Sequence, residues 1–266
     1  MLIAVEYLGT IGVGVTSPRL FRANDGNVYV VKLQNNRLGQ KVLVNELLAC
    51  QFAGLLDLCF PEGGIICLEK PFIEKNKRLK AARVQAGCHF ASRYLSSVEY
   101  VDRRNLGRAV NKAQMAGIML FDHIFHNVDR TWNRKNLLLR RESNAYRLYA
   151  IDNSHLFRRG RWTVESLTKL AGRIRVNKRR TFGWLLKHYL SKADFDFYIS
   201  RVKAITDHQL CCLVARIPQE WLPERREREA LTDYLIKRRD MIDRIAAPLL
   251  QLIPDVDRAA KIDQNK

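Results

Sequence analysis

The sequence predicts an α+β molecule in two lobes, a small β-rich lobe over residues 1–72 and a larger, mainly helical lobe over residues 73–266. Strand patterns crowd the first stretch around one helical segment. The chain reads as mostly helical from Asn105 onward, and two short strands with polar residues at their ends interrupt that helical part. At 266 residues, 47% of them hydrophobic, the chain is long enough to bury a large core or to build two lobes that share a cleft.

In the first lobe the expected strands are Leu2–Leu8, Arg19–Arg22, Val28–Leu33 and Ile65–Leu68. Between the first two, Gly9–Pro18 is rich in glycine and small hydroxyl residues. The amides of its Gly14 to Ser17 portion and the hydroxyls of Thr16 and Ser17 are donors of the kind that cover a phosphate, although such pairs also mark ordinary hairpins. Val28 to Gln34 reads as a buried strand carrying one charged residue, Lys32, which needs an anionic partner. The next segment spaces Val44, Leu47, Leu48, Phe52 and Leu55 as a helix does, with Glu46 near its start. In the last third, Asp194–Ile205, Gln209–Ile217 and Arg226–Ala247 read as scaffold helices, the last disturbed at Pro248.

The most informative stretch is Phe121 to Phe157, which places Asp129, Asn136 and Asp152 at the ends of two short strands. Phosphoryl transfer needs a carboxylate to orient or deprotonate the attacking hydroxyl, and a carboxylate plus an amide oxygen to hold Mg²⁺ over the nucleotide phosphates. Those residue types occur here in that order. A lysine on a strand and a glutamate on the following helix, such as Lys32 and Glu46, form the ion pair that positions phosphates in such sites.

The segments G-V-T-S-P-R-L-F, G-N-V-Y-V-V-K-L, V-N-E-L-L-A, A-G-C-H-F-A-S-R-Y, N-V-D-R-T-W-N-R-K-N-L-L-L and A-I-D-N-S-H-L-F, in this order over roughly residues 10–160, resemble the HipA-like kinase domain family of bacteria. That family is a branch of the protein-kinase-like and phosphoinositide-kinase-like fold. The resemblance implies an ATP- and Mg²⁺-dependent phosphotransferase acting on a protein Ser or Thr. Lys32 would be the phosphate contact, Glu46 its partner, Asp129 the catalytic base, and Asn136 and Asp152 the Mg²⁺ ligands. Kinases commonly place the metal-binding Asn five residues after the catalytic Asp, where this chain has Arg134. Asn136, which directly precedes Leu137-Leu138-Leu139, is preferred, and Asn133 stays open. Asp152-Asn153-Ser154 replaces the usual Asp-Phe-Gly, and Leu68–Phe72 takes the place of the hinge between lobes. Two alternatives remain: a silent kinase fold that binds nucleic acid or ribonucleoprotein, and a small-molecule or lipid-headgroup kinase.

The formal net charge is +19. Arg158, Arg159, Arg161, Lys169, Arg173, Arg175, Lys178, Arg179 and Arg180 crowd one region against a single acid, Glu165. Following Asp152, this run suits an acidic or phosphorylated protein substrate or a nucleic acid. No segment reaches the uninterrupted apolar length of a membrane span. The amino terminus lacks a signal peptide's basic region and cleavage site, so a cytoplasmic location is expected. The six cysteines form no C-x-x-C pair and read as reduced. His123 and His126, three residues apart without a third ligand at a recognised spacing, read as packing or hydrogen-bonding groups. The sequence sets no oligomeric state.

Overall fold

The computed structural model describes residues 1–12, 16–179 and 181–254, with the side chain of Arg134 excepted. Gly14 of the expected phosphate loop and Arg180 of the basic run lie outside the described residues.

The strands β1 (Leu2–Thr10), β2 (Arg19–Ala23), β3 (Val28–Lys32), β4 (Gly63–Leu68) and β5 (Gly87–Arg93) form a closed barrel in the order β1-β2-β3-β5-β4. Neighbours are antiparallel except β1 and β4, which pair in parallel through Leu2–Ile66 and Ile3–Cys67 and close the barrel. Closure leaves no open sheet edge. Side chains alternate along each strand, and Phe21, Val31, Ile66, Leu68 and Ala91 are buried together in the barrel core.

The chain does not leave this lobe at Leu68–Phe72. It makes α2 (Lys70–Lys75) and α3 (Lys77–Ala81) and returns as β5, so the barrel continues past residue 72 and Tyr94–Ser97 joins the lobes. Strand β5 pairs with β3 on one side and β4 on the other, satisfying backbone groups that both would otherwise leave open. Its sequence, G-C-H-F-A-S-R, is mostly small residues and lacks the β-branched run that marks a strand.

Helix α1 (Lys41–Leu56) has Val42 to Ala49 buried without a break. A helix apolar all round belongs inside a protein, and α1 packs against β4 and β5 on one side and the helical lobe on the other. Its Leu43, Leu47, Leu48 and Phe52 share one core with α4 (Gln114–Ile124), which contributes Ile118, Phe121 and Ile124. The element that carries Glu46 is therefore fixed to both lobes.

The second sheet has the order β6 (Val98–Tyr100), β7 (Leu137–Glu142), β8 (Ala145–Ala150). The short α5 (Asp129–Trp132) precedes β7. After this sheet the chain forms α6 (Val164–Ala171), α7 (Thr181–His188), α8 (Lys192–Lys203), α9 (Asp207–Ala215), α10 (Arg225–Asp240) and α11 (Ile242–Leu250). Capping boxes Thr163/Ser166, Ser191/Asp194 and Thr206/Gln209 start α6, α8 and α9, which is why α8 and α9 begin two residues earlier than apolar spacing alone suggests. The single helix expected over Arg226–Ala247 is two, broken at Met241. No helix among the described residues is long and apolar enough to cross a membrane.

Candidate active site

Lys32 ends β3 with its side chain buried, and its ammonium meets three groups at once. It is ion-paired with Glu46 of α1, donates to Asp152 Oδ1 at 2.7 Å, and donates to Ser154 Oγ at 2.8 Å. The Ser154 hydroxyl lies 3.0 Å from Glu46 Oε1 and 2.7 Å from Asp152 Oδ1, either of which its single proton can reach. Glu46 Oε1 also accepts from the Asn153 N–H at 2.9 Å. The lysine thus joins the barrel, α1 and the segment after β8.

Burial would drive each of these groups toward its neutral form. For Lys32 that pull is outweighed by the charges of Asp152 and Glu46, which hold its pKa above the ordinary lysine value. For Asp152 burial is outweighed by the Lys32 charge and by hydrogen bonds from Lys32 and Ser154, which hold the carboxyl well below the usual range. Burial pushes Glu46 up, against the attraction of Lys32 and with the repulsion of Asp152. The ionised carboxylate with solvent access is Asp152, whose side chain is 32% exposed against 4% for Glu46. Its φ of 57° lies in the left-handed region, a conformation that persists in a non-glycine residue only when its surroundings impose it.

Asp129 opens α5, and its Oδ2 accepts from Asn136 Nδ2 at 2.7 Å. Asn133, the other amide the sequence offers, is turned elsewhere and accepts from the Lys135 N–H at 3.1 Å to cap a 3-10 turn over Arg134–Asn136. Of the two amides, Asn136 is the one at the site. His155 Nδ1 stands 3.9 Å from Asp129 Oδ2 and, among the described residues, has no hydrogen-bond partner although that atom is buried.

One side chain unites these halves. Arg130 pairs with Asp122 of α4 through Nε at 2.8 Å, both side chains being fully enclosed. Its Nη1 donates to the carbonyls of Asn136 at 3.2 Å and Ile151 at 2.8 Å, and its Nη2 to Asn153 Oδ1 at 2.7 Å. The planar fork of arginine suits such divergent acceptors. It fixes the loop bearing Asp129 and Asn136 against the strand end bearing Asp152, assisted by Ile151 N–H to Asn136 O at 3.0 Å. Sequence reasoning did not find Arg130, Ser154 or His155. A signal existed for the first: a lone Asp122 in an apolar helix requires a cation, and Arg130 lies eight residues on.

Asn45, beside Glu46 on α1, donates to the carbonyls of Ser154 at 3.1 Å and Gly160 at 2.9 Å and accepts from Trp162 Nε1 at 3.0 Å. This clamps the segment after Asp152 onto the helix.

The remaining expected contacts lie in the β1–β2 turn. Thr16 is buried, and Ser17 is exposed with φ 47°. Among the described residues, no hydrogen bond joins either of them to Lys32 or Asp129. His123 and His126 serve as hydrogen-bonding groups: His123 Nδ1 lies 2.6 Å from the Met119 carbonyl and its Nε2 accepts from the Asn177 N–H at 3.0 Å, while His126 Nε2 lies 3.0 Å from the Leu170 carbonyl. The cysteines are free, with Cys59 buried and Cys211 exposed.

Comparison with known proteins bears on the fold that carries this arrangement. The Helicobacter pylori proinflammatory kinase CtkA superposes with a TM-score of 0.62 at 14% identity, over 95% of this chain and 97% of that one. A Golgi casein kinase with Mn/ADP bound superposes with a TM-score of 0.51 at 12% identity, over 96% of this chain and 78% of that one. At such identities the likeness concerns the fold, which is kinase-like. No curated protein sequence matches the chain. A family model described as HipA-like kinase matches residues 4–248, and the chain accordingly belongs to the HipA-like kinase family.

Proposed function

We propose that this kinase transfers the γ-phosphoryl group of ATP, with Mg²⁺ as the accompanying cation, to the hydroxyl of a protein serine or threonine. The observation that carries the reading is the convergence of Lys32 on Glu46, Asp152 and Ser154, joined through Arg130 to the Asp129–Asn136 pair.

The donor set suits a divalent cation. Asp152 brings a carboxylate kept ionised by Lys32 and Ser154, and Asn136 commits its amide NH₂ to Asp129, which leaves its amide oxygen for a cation. Mg²⁺ is ordinarily held by one or two protein oxygens, with phosphates and water completing its shell. Bound there, the ion would neutralise charge on the nucleotide phosphates. The Golgi casein kinase of like fold holds Mn/ADP.

Each residue then has a task. Lys32, steadied by Glu46, offers its ammonium to a phosphate oxygen. Thr16 and Ser17, with Gly14 of the same turn, cover the phosphates. Asp129, held by Asn136 through Oδ2, turns Oδ1 to the acceptor hydroxyl. As the acceptor oxygen bonds to the γ-phosphorus, the bond to the β-phosphate oxygen breaks, ADP carries away the electron pair, and Asp129 takes the hydroxyl proton.

Two variants test the scheme. Asp152→Ala should weaken Mg·ATP binding, whereas Asp129→Ala should leave binding nearly intact and lower turnover by about 10²-fold or more, the range for loss of a general base. Equal phosphate transfer by wild type and both variants would end the proposal. Phosphoamino-acid analysis of labelled substrate reads the acceptor, and label in metabolites alone would exclude a protein.

A further inference from the structure

The turn that follows Asp152 and the stretch that follows α6 are far apart in sequence, yet both are tied to His126, three residues before Asp129. The Arg158 N–H donates to the His126 carbonyl at 3.2 Å, and His126 Nε2 lies 3.0 Å from the Leu170 carbonyl at the end of α6. Arg238 of α10, itself buried, donates to the Ala171 carbonyl at 3.2 Å, the Arg173 carbonyl at 2.7 Å and the His123 carbonyl at 2.7 Å. Asn177 donates through Nδ2 to Thr131 Oγ1 at 2.6 Å, two residues past Asp129. These ties bring Arg158, Arg159, Arg173 and Arg175 to one place beside the catalytic loop.

All four are exposed, and none forms a salt bridge among the described residues. Phe157 and Arg158 are consecutive non-glycine residues with positive φ, 57° and 78°, so the backbone is held in an unfavourable turn where it presents the Arg158 guanidinium. Arg158 holds its proton less firmly than an isolated arginine, first because of the charge of Arg175, then through partial burial, Arg173 and Arg159. A cluster of like charges without acids lacks its counter-ion. We propose that the counter-ion is carried by the substrate: the acceptor hydroxyl belongs to an acidic peptide segment whose carboxylate or phosphate groups dock on Arg158, Arg159, Arg173 and Arg175.

The assignment rests on the kinase reading, which places the acceptor at Asp129. Arginine's fork matches carboxylates and phosphates two-pronged. Sequence-tolerant binding of single-stranded nucleic acid needs several exposed aromatic faces for successive bases, whereas Trp162 within the basic run is buried and the half-exposed Trp132 has Arg179 over its ring at 4.4 Å.

Labelled peptides of equal length, rich in Glu and Ser, in Lys and Ser, or in Ala and Ser, and a single-stranded RNA oligomer are titrated separately against the full chain. The same is done with Arg173→Ala/Arg175→Ala and Arg173→Lys/Arg175→Lys. The acidic peptide should bind best. The alanine pair should weaken it about tenfold and the lysine pair less, because the charge remains and the fork is lost. Mg·ATP affinity should stay unchanged in both variants, and transfer to the acidic peptide should fall through KM with kcat held. Absence of acidic preference, its persistence in the alanine pair, or tighter RNA binding through the same arginines would overturn the proposal. If the acidic peptide binds through these arginines while no phosphate is transferred, the docking stands and the kinase reading fails.

Discussion

At the scale of single residues, Arg130 governs more of the site than any group that would touch a substrate. Its four hydrogen bonds reach α4, the loop bearing Asp129 and Asn136, β8's end and Asn153. Burial pushes the Asp122 carboxyl up to about 6 even against the attraction of Arg130. Removing the arginine leaves an enclosed carboxylate without its cation, a loss of about 3–5 kcal/mol in comparable buried pairs. Arg130→Ala should show this in urea unfolding and should weaken Mg·ATP binding, since Asp152 loses its registration with Asn136. Arg130→Lys should recover little, because an ammonium cannot span the same acceptors. Full stability in Arg130→Ala would mean that the loop is held by other contacts.

At the scale of elements, α1 and the segment after Asp152 act as one unit. The aromatic rings of Phe52, Phe125, Phe157 and Tyr234 form a chain from α1, past the end of α4 and the segment after Asp152, to α10, with centroids 5.0 Å, 6.0 Å and 5.1 Å apart. Gly160 closes the turn with φ 74°, and a Cβ there would stand 2.1 Å from the Ser154 carbonyl oxygen. Ser154 is the residue that Lys32 and Asn45 both hold. Gly160→Ala should therefore destabilise by about 2 kcal/mol or more, by backbone strain and overpacking, and should lower nucleotide affinity as well. Thermal unfolding and nucleotide titration check the two effects, and an unchanged melting temperature would refute the first. The elements also show where local pattern falls short. Strand β5 lies within the A-G-C-H-F-A-S-R-Y segment yet lacks strand composition. The scaffold helix over Arg226–Ala247 parts at Met241, a position that apolar spacing does not mark.

At the scale of the whole molecule, three enclosed histidines link the fold to pH. His89 Nδ1 accepts from the Gln34 N–H at 3.0 Å, and His123 Nε2 accepts from the Asn177 N–H, so protonating either ring would set two donors face to face. Burial is the chief cause that holds His89, His123 and His126 down at about 4, against an ordinary value of 6.5. The unfolded chain takes up these protons below about 6.5 while the folded chain does not until about 4. Stability should be flat above that window and decline through it as pH falls, by roughly 1 kcal/mol per pH unit for each histidine. Denaturant unfolding at several pH values measures the slope, and His123→Gln, which can still accept from Asn177, should reduce it. A slope unchanged by this substitution would remove His123 from the account.

The sequence by itself determined the α+β class, the bacterial kinase resemblance, the order of Lys32, Glu46, Asp129, Asn136 and Asp152, and the concentration of arginines after Asp152. Those are properties of residue type and spacing along the chain, which period and motif express directly. Only the tertiary structure decided that Ser154 joins the Lys32 cluster, that Asn136 rather than Asn133 meets Asp129, that β5 completes the barrel, and that Arg158 and Arg175 become neighbours. Each of these depends on groups distant in sequence satisfying one another's charge or hydrogen-bonding needs once water is excluded, and local pattern carries no record of that requirement.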